Sequence, residues 1–321
     1  MKGRYHIIVE NKRIKYEFDI QRNITIVRGD SATGKTTLLN MIEAYQAEQE
    51  SSGVSVIADC LLEVLTSVEW KYRIERAHNT IFFIEECNRF VVTKEFAEAV
   101  KKADAYFVLI QRESLPNLPY SVDEIYGIHT SNRYGGFKKT YNEFYHLYGD
   151  GMSNVTENID VVVTEDSNSG YQFFDHKCRT AVMSAEGKSN IGKMIRKYRD
   201  KCMLVIADGA AFGPEMEAIM RLQEDGYCLI CYLPESFEWL LLSADLLNDK
   251  DIRTLLMSPE NYIDSREYIS WERFFTKVLI EKSKDTYMRY EKRTLNRAYC
   301  QERIREKVIA VLPEVIKYMF E

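Results

Sequence analysis

Alternating apolar and polar residues open the chain and predict strands at Tyr5 to Val9 and Ile14 to Phe18, with Asn11-Lys12 as the hairpin turn between them. A third strand, carrying Ile24 and Ile26, is predicted to end at Val27. Leu38, Leu39, Met41 and Ile42 then recur at helical spacing, predicting a helix to about Gln49 that Ser51-Ser52-Gly53 breaks. A strand at Val54 to Ala58 follows, then amphipathic helical sequence to about Ala77. Thr80 to Ile84 reads as a buried strand, Lys94 to Lys102 as a short helix, and Ala105 to Ile110 and Glu124 to Ile128 as further strands. Strand and helix alternate, so the expected class is α/β, a parallel sheet with helices on both faces entered through antiparallel N-terminal strands.

Residues 131–157 are rich in Gly, Asn and Tyr and lack periodicity, which predicts a linker or surface excursion. A second alternating series begins at the strand Ile159 to Thr164. It continues as helix Tyr171 to Lys177, strand Thr180 to Ser184, helix Asn190 to Tyr198, strand Met203 to Ala207, helix Pro214 to Glu224 and strand Tyr227 to Leu233. From Ser265 the pattern is helical only. The expected organisation is a first domain over 1–130, the linker over 131–157, a second α/β domain over 158–250 and a helical region over 251–321.

Composition changes this picture little. With 45% hydrophobic and 29% charged residues the chain has ordinary globular composition, and a net charge of −6 excludes a wholesale polyanion binder. The N-terminal residues lack the apolar core of a secretion signal, and no apolar run is long enough for a membrane helix. Seven scattered cysteines fit a reducing compartment, so a cytoplasmic location without membrane attachment is expected. Cys228 and Cys231 fall three apart in a predicted buried strand and read as packing residues rather than zinc ligands.

The chemistry lies first in Gly29-Asp30-Ser31-Ala32-Thr33-Gly34-Lys35-Thr36, which fits the phosphate-binding loop G-x-x-x-x-G-K-[ST] between a strand and a helix. Its glycines let backbone N–H groups close around a polyphosphate, Lys35 reaches the β and γ phosphates, and the Thr36 hydroxyl faces Mg²⁺. Thr37 extends the loop into the helix N-terminus, whose dipole favours an anion. Expected cofactors are ATP and Mg²⁺; no guanine-reading Asn-Lys-x-Asp motif is present. Ile81-Phe82-Phe83-Ile84-Glu85-Glu86 resembles the Walker B element of transporter-type ATPases, which implies Glu85 in the metal shell and Glu86 as the base that positions water. The usual first acid is Asp, and the Leu-Ser-Gly-Gly signature of that family does not occur before Glu85. The antiparallel lead-in is shared with transporter-type and chromosome-segregation ATPases. Gln111 and Arg112, after the next strand, are candidate γ-phosphate sensors.

In the second series, Glu165 follows one buried strand and Asp208 another. With Gly187 and the run Tyr232 to Glu238, this order resembles the TOPRIM domain of topoisomerases, primases and overcoming-lysogenization-defect nucleases. That resemblance implies that Glu165 and Asp208 hold a divalent metal for phosphodiester chemistry. Ala210 stands where the family's Asp-x-Asp has its second acid, leaving Asp166, Asp175, Glu235 and Glu238 as substitutes. Between Arg273 and Lys307, eleven Lys and Arg face five acids, with Tyr287, Tyr290 and Tyr299 interleaved. Such a stretch either tracks a nucleic-acid backbone or is a helical pair with a solvated face.

The combination resembles the ATPase and TOPRIM proteins of the overcoming-lysogenization-defect family and related anti-phage systems. It implies a nucleotide-gated switch over a second domain that is either a nuclease or an inactive module binding nucleic acid, a protein partner or a second copy of the chain. A small-molecule P-loop kinase is the other class, with Arg133, Lys138 and Lys139 as a candidate lid.

Overall fold

The computed structural model describes residues 1–29, 34–131, 139–149 and 158–321. The chain divides into two compact units, 1–149 with 259–269, and 150–258 with 270–321. The helical stretch from 251 onward is thus shared between them.

In unit 1, β1 (Tyr5–Glu10) and β2 (Ile14–Ile20) form the expected antiparallel pair, and β3 (Ile24–Val27) leads towards α1 (Lys35–Glu48). Then come β4 (Ser55–Ile57), β5 (Leu61–Val64), α2 (Trp70–Glu75), β6 (His78–Ile84), α3 (Lys94–Val100), β7 (Asp104–Ile110), β8 (Ile125–Ser131) and β9 (Thr140–His146). Among the described residues these strands make one mixed sheet of nine in the order β4-β1-β2-β9-β8-β3-β7-β6-β5. Strands β8, β3, β7, β6 and β5 run parallel, and β8 pairs antiparallel with β9. The inward residues of β1 and β2, the buried face of α1, Ile81 and Phe83 of β6, and Tyr106, Val108 and Ile110 of β7 share one core. Segment 259–269 belongs to this unit because Asn23 Nδ2 donates to the carbonyls of Ser265 (3.0 Å) and Tyr268 (3.1 Å).

Two elements differ from expectation. Residues Leu61–Val64 form an edge strand rather than helix, because β6 supplies a hydrogen-bonding partner to a segment whose own pattern is only half buried. Thr140–His146, expected within the linker, is a strand inserted between β2 and β8.

Unit 2 is built on β10 (Val161–Thr164), α4 (Ser169–Asp175), β11 (Ala181–Ser184), α5 (Lys188–Lys197), β12 (Met203–Ile206), α6 (Met216–Glu224) and β13 (Leu229–Tyr232). Its sheet is fully parallel, in the order β11-β10-β12-β13. Helices α7 (Phe237–Ser243), α8 (Lys250–Met257), α9 (Trp271–Ser283), α10 (Glu302–Val311) and α11 (Glu314–Lys317) complete it, with α7 packed on α9 and α10. Residues 284–301 are not the continuous helix that their composition suggested: they form turns and a short 3₁₀ segment, Arg297–Cys300.

Register also explains a disulfide that the sequence did not signal. Met203 pairs with Leu229, so the preceding residues, Cys202 and Cys228, lie side by side with Cα atoms 4.6 Å apart and are bonded. Cys228 is therefore not merely a packing residue. Among the described residues no helix is long and apolar enough to cross a membrane.

Candidate functional site

The carboxyl ends of parallel strands are where open α/β sheets bind ligands, and in unit 1 three of them end level. Val27 of β3 pairs with Ile110 of β7, and Leu109 of β7 with Ile84 of β6. The chain past β3 therefore begins with Arg28-Gly29, the chain past β7 with Gln111, and the chain past β6 with Glu85-Glu86, all on one edge. With β7 between them, β3 and β6 are about 10 Å apart, two strand spacings. That gap leaves room for a ligand at β3 whose far side faces the acids.

Asp30, Ser31, Ala32 and Thr33 lie outside the described residues. Either side of them, Gly29 (φ 126°) and Gly34 (φ 93°) hold left-handed conformations that favour glycine. Gly34 is also packed: a Cβ there would meet Tyr16 Oη at 2.8 Å. Gly34 caps α1, whose first turn carries no acid. The first-turn N–H groups of Lys35, Thr36 and Thr37 lack intrahelical partners by position and form an anion-binding end. Lys35 Nζ donates to the Gly29 carbonyl at 2.8 Å, so the ammonium lies by the chain that leaves β3.

Gln111 is 6% exposed, its N–H donates to the Val27 carbonyl at 3.2 Å, and its side-chain Nε2 has no hydrogen-bond partner among the described residues. A buried amide donor without a partner costs about 1–3 kcal/mol, and here it stands at the strand end beside the loop. Glu85 starts a tight turn, its carbonyl accepting from Asn88 N (3.1 Å) and Asn88 Nδ2 (3.0 Å). Glu86 is more exposed, with Arg112 Nε 3.3 Å from its Oε2. Of the candidate kinase lid, Arg133 and Lys138 lie outside the described residues, and Lys139 pairs with Glu10 at 2.6 Å.

In unit 2, β10 and β12 are neighbours, Thr164 pairing with Ile206, which brings Glu165 and Asp208 together. The Asp208 N–H donates to Glu165 Oε2 at 3.4 Å, and Asp208 Oδ1 accepts from Phe237 N at 3.1 Å. Both acids line a cavity of about 40 Å³ with Glu238, Tyr290 and Lys292. Burial and then the charge of Glu272 push the Glu165 carboxyl up to about 7. Burial, then Glu272, Glu238 and Glu165, raise that of Asp208.

Among the described residues no group of three or more His, Cys, Asp or Glu is arranged to hold a metal. Ala210 is buried at 3% and does not line the cavity; its N–H bonds the Glu235 carbonyl at 3.2 Å. The position aligned with the missing Asp therefore does not face Glu165 and Asp208. Sequence reasoning missed Glu272, and it read Tyr290 and Lys292 as part of a basic stretch rather than as neighbours of the acids, because they come from a distant part of the chain. Within the basic stretch, Lys282 pairs with Asp249 (2.7 Å) and Lys292 with Glu272. Tyr290 and Tyr299 are buried in it, leaving Tyr287, 70% exposed, as the accessible ring of the three.

Comparison of the chain with protein-family models, curated proteins and solved structures found no match.

Proposed function

We propose that unit 1 is a Mg²⁺-dependent ATPase and that its nucleotide cycle governs a second unit which binds a partner without cleaving it. The observation that carries the ATPase reading is the convergence at one sheet edge of Lys35, the α1 N-terminus, the unpartnered Gln111 amide and the Glu85-Glu86 pair. The residues fit a polyphosphate and its metal: a cationic and amide-rich loop on one side, carboxylates on the other, and no acid in the first turn of α1 to repel the anion. Thr36 and Glu85 would hold Mg²⁺, which supplies charge neutralisation at the phosphates. Lys35 and the helix end bind and orient the phosphates, Gln111 donates to the terminal one, and Glu86 accepts the proton of the attacking water.

The non-cleaving reading of unit 2 is supported by the buried Ala210 and by the absence, among the described residues, of a third carboxylate placed for a metal. Incubating the protein with ATP, Mg²⁺ and plasmid or RNA tests both halves. The expected result is phosphate release without nicking. No phosphate release overturns the ATPase, and nicking overturns the binding module.

A further inference from the structure

Helix α10 buries Ile304, Arg305, Val308 and Ile309, so an arginine occupies a position that helical spacing assigns to an apolar side chain. Long cations ordinarily lay the stem along apolar surface and keep the charged head in water. Arg305 does not: it is 5% exposed, and its Nε and Nη2 are both buried without a hydrogen-bond partner among the described residues. A guanidinium stays charged at any ordinary pH. Burial lowers the Arg305 pKa from its usual value, and the thiols of Cys178 and Cys300 act the other way, where a paired arginine would have a carboxylate. An unpaired buried charge works against stability, which points to a partner that the chain itself does not supply.

Arg305 lines a cavity of about 480 Å³ formed by α10, α11 and the chain that follows α4, a volume in the range of small-molecule sites. Two of the cations in its lining are committed, Lys177 to Glu302 at 3.8 Å and Lys317 to Glu314. Among the described residues this leaves Arg305 without a carboxylate, and Glu306 and Glu321 without a cation. Ile309 and Ala310 add apolar surface. We propose that this cavity binds a small zwitterion, an amino acid or short peptide, whose carboxylate is taken by the Arg305 guanidinium and whose ammonium lies by Glu306 and Glu321. The planar fork of a guanidinium matches a carboxylate with two parallel hydrogen bonds. A phosphate group fits the charges poorly, since it brings about two negative charges to a lining that already carries four acids. A carboxylate without an amine satisfies Arg305 and leaves the two free acids uncompensated. The zwitterion answers both.

The test uses the full chain without nucleotide, which separates it from the ATPase reading. Wild type, Arg305→Met and Glu306→Gln are titrated by calorimetry with L-leucine and the dipeptide Gly-Leu. The controls are 4-methylpentanoate, which lacks the amine, 3-methylbutylamine, which lacks the carboxylate, and inorganic phosphate. At least one of the two zwitterions is expected to bind wild type ~10-fold or more tightly than any control. Arg305→Met should lose that affinity by at least ~10-fold, and Glu306→Gln should weaken the zwitterion while leaving 4-methylpentanoate unchanged. No binding of either zwitterion, equal binding of phosphate or 4-methylpentanoate, or full affinity in Arg305→Met overturns the proposal. Wild type also reports directly, whatever the folding of the variants: the Arg305 Nε–H resonance should shift on saturation with the zwitterion. A resonance that does not move would show that the guanidinium is not the receptor.

Discussion

Tyr16 Oη donates a 2.8 Å hydrogen bond to the Gly34 carbonyl, so a strand of the antiparallel lead-in fixes the residue that caps α1. The start of α1 is therefore held from β2. Gly34→Ala places a Cβ at φ 93° and 2.8 Å from that hydroxyl. It should cost about 1–3 kcal/mol of stability and weaken ATP binding. Tyr16→Phe, which keeps the ring and loses the hydroxyl, should cost about 1 kcal/mol or more, and the double variant should recover part of the alanine penalty. Denaturant unfolding reads all three; a neutral Gly34→Ala would show that the loop is not braced in this way.

Lys35→Ala should weaken ATP·Mg²⁺ binding by about 1.5–3 kcal/mol, the scale of a charge-assisted hydrogen bond. Titration calorimetry measures it directly, and unchanged affinity would remove the nucleotide from this loop.

Glu86→Gln preserves shape and discards the base, so turnover should fall by ~10²-fold or more while ATP affinity persists. A variant that hydrolyses ATP at the wild-type rate would transfer the role to Glu85, whose side chain is the less exposed of the two.

Ala210→Asp should destabilise unit 2 by more than about 2 kcal/mol, because it buries a carboxylate without a partner. It should not create metal affinity, since position 210 does not line the cavity with Glu165 and Asp208. Thermal unfolding with and without Mg²⁺ checks both statements, and a metal-dependent gain would restore the Asp-x-Asp alignment.

The Glu165 carboxyl, lifted from 4.5 to about 7 by burial and Glu272, holds its proton more tightly in the folded state than in the unfolded chain. Between these pH values the unfolded state binds fewer protons, so this group's contribution to stability falls as pH rises from about 4.5 to about 7 and then levels off. Glu165→Gln should accordingly raise the melting temperature relative to wild type at pH 8 by more than it does at pH 5. An equal effect at both values would mean that Glu165 does not titrate in this window.

Alternation and periodicity close together in the chain sufficed for the helix that starts at Lys35, the apolar strand that ends just before Glu85-Glu86 and the α/β class, because each is a local pattern of residue types at fixed spacing. Leu61–Val64 and Thr140–His146 were not legible as strands, since one is a half-exposed edge and the other has Asn142 as its sole buried residue. Both acquire their conformation from the strands that pair with them. The level ends of β3, β7 and β6 likewise follow from sheet register, which places Gln111 beside the loop although nothing in its own neighbourhood does so. The surroundings of Glu165 and Asp208 depend most on tertiary structure. Lys292 and Tyr290 belong to a stretch that reads as a charged, solvated surface, and Tyr290 is 2% exposed. Hydrogen bonds from Ser169 and Gln172 hold the backbone of residues 291–293 beside α4. Such bonds, across more than a hundred residues of chain, leave no periodic trace, because they depend on where the backbone returns and not on what lies next to the residue in sequence.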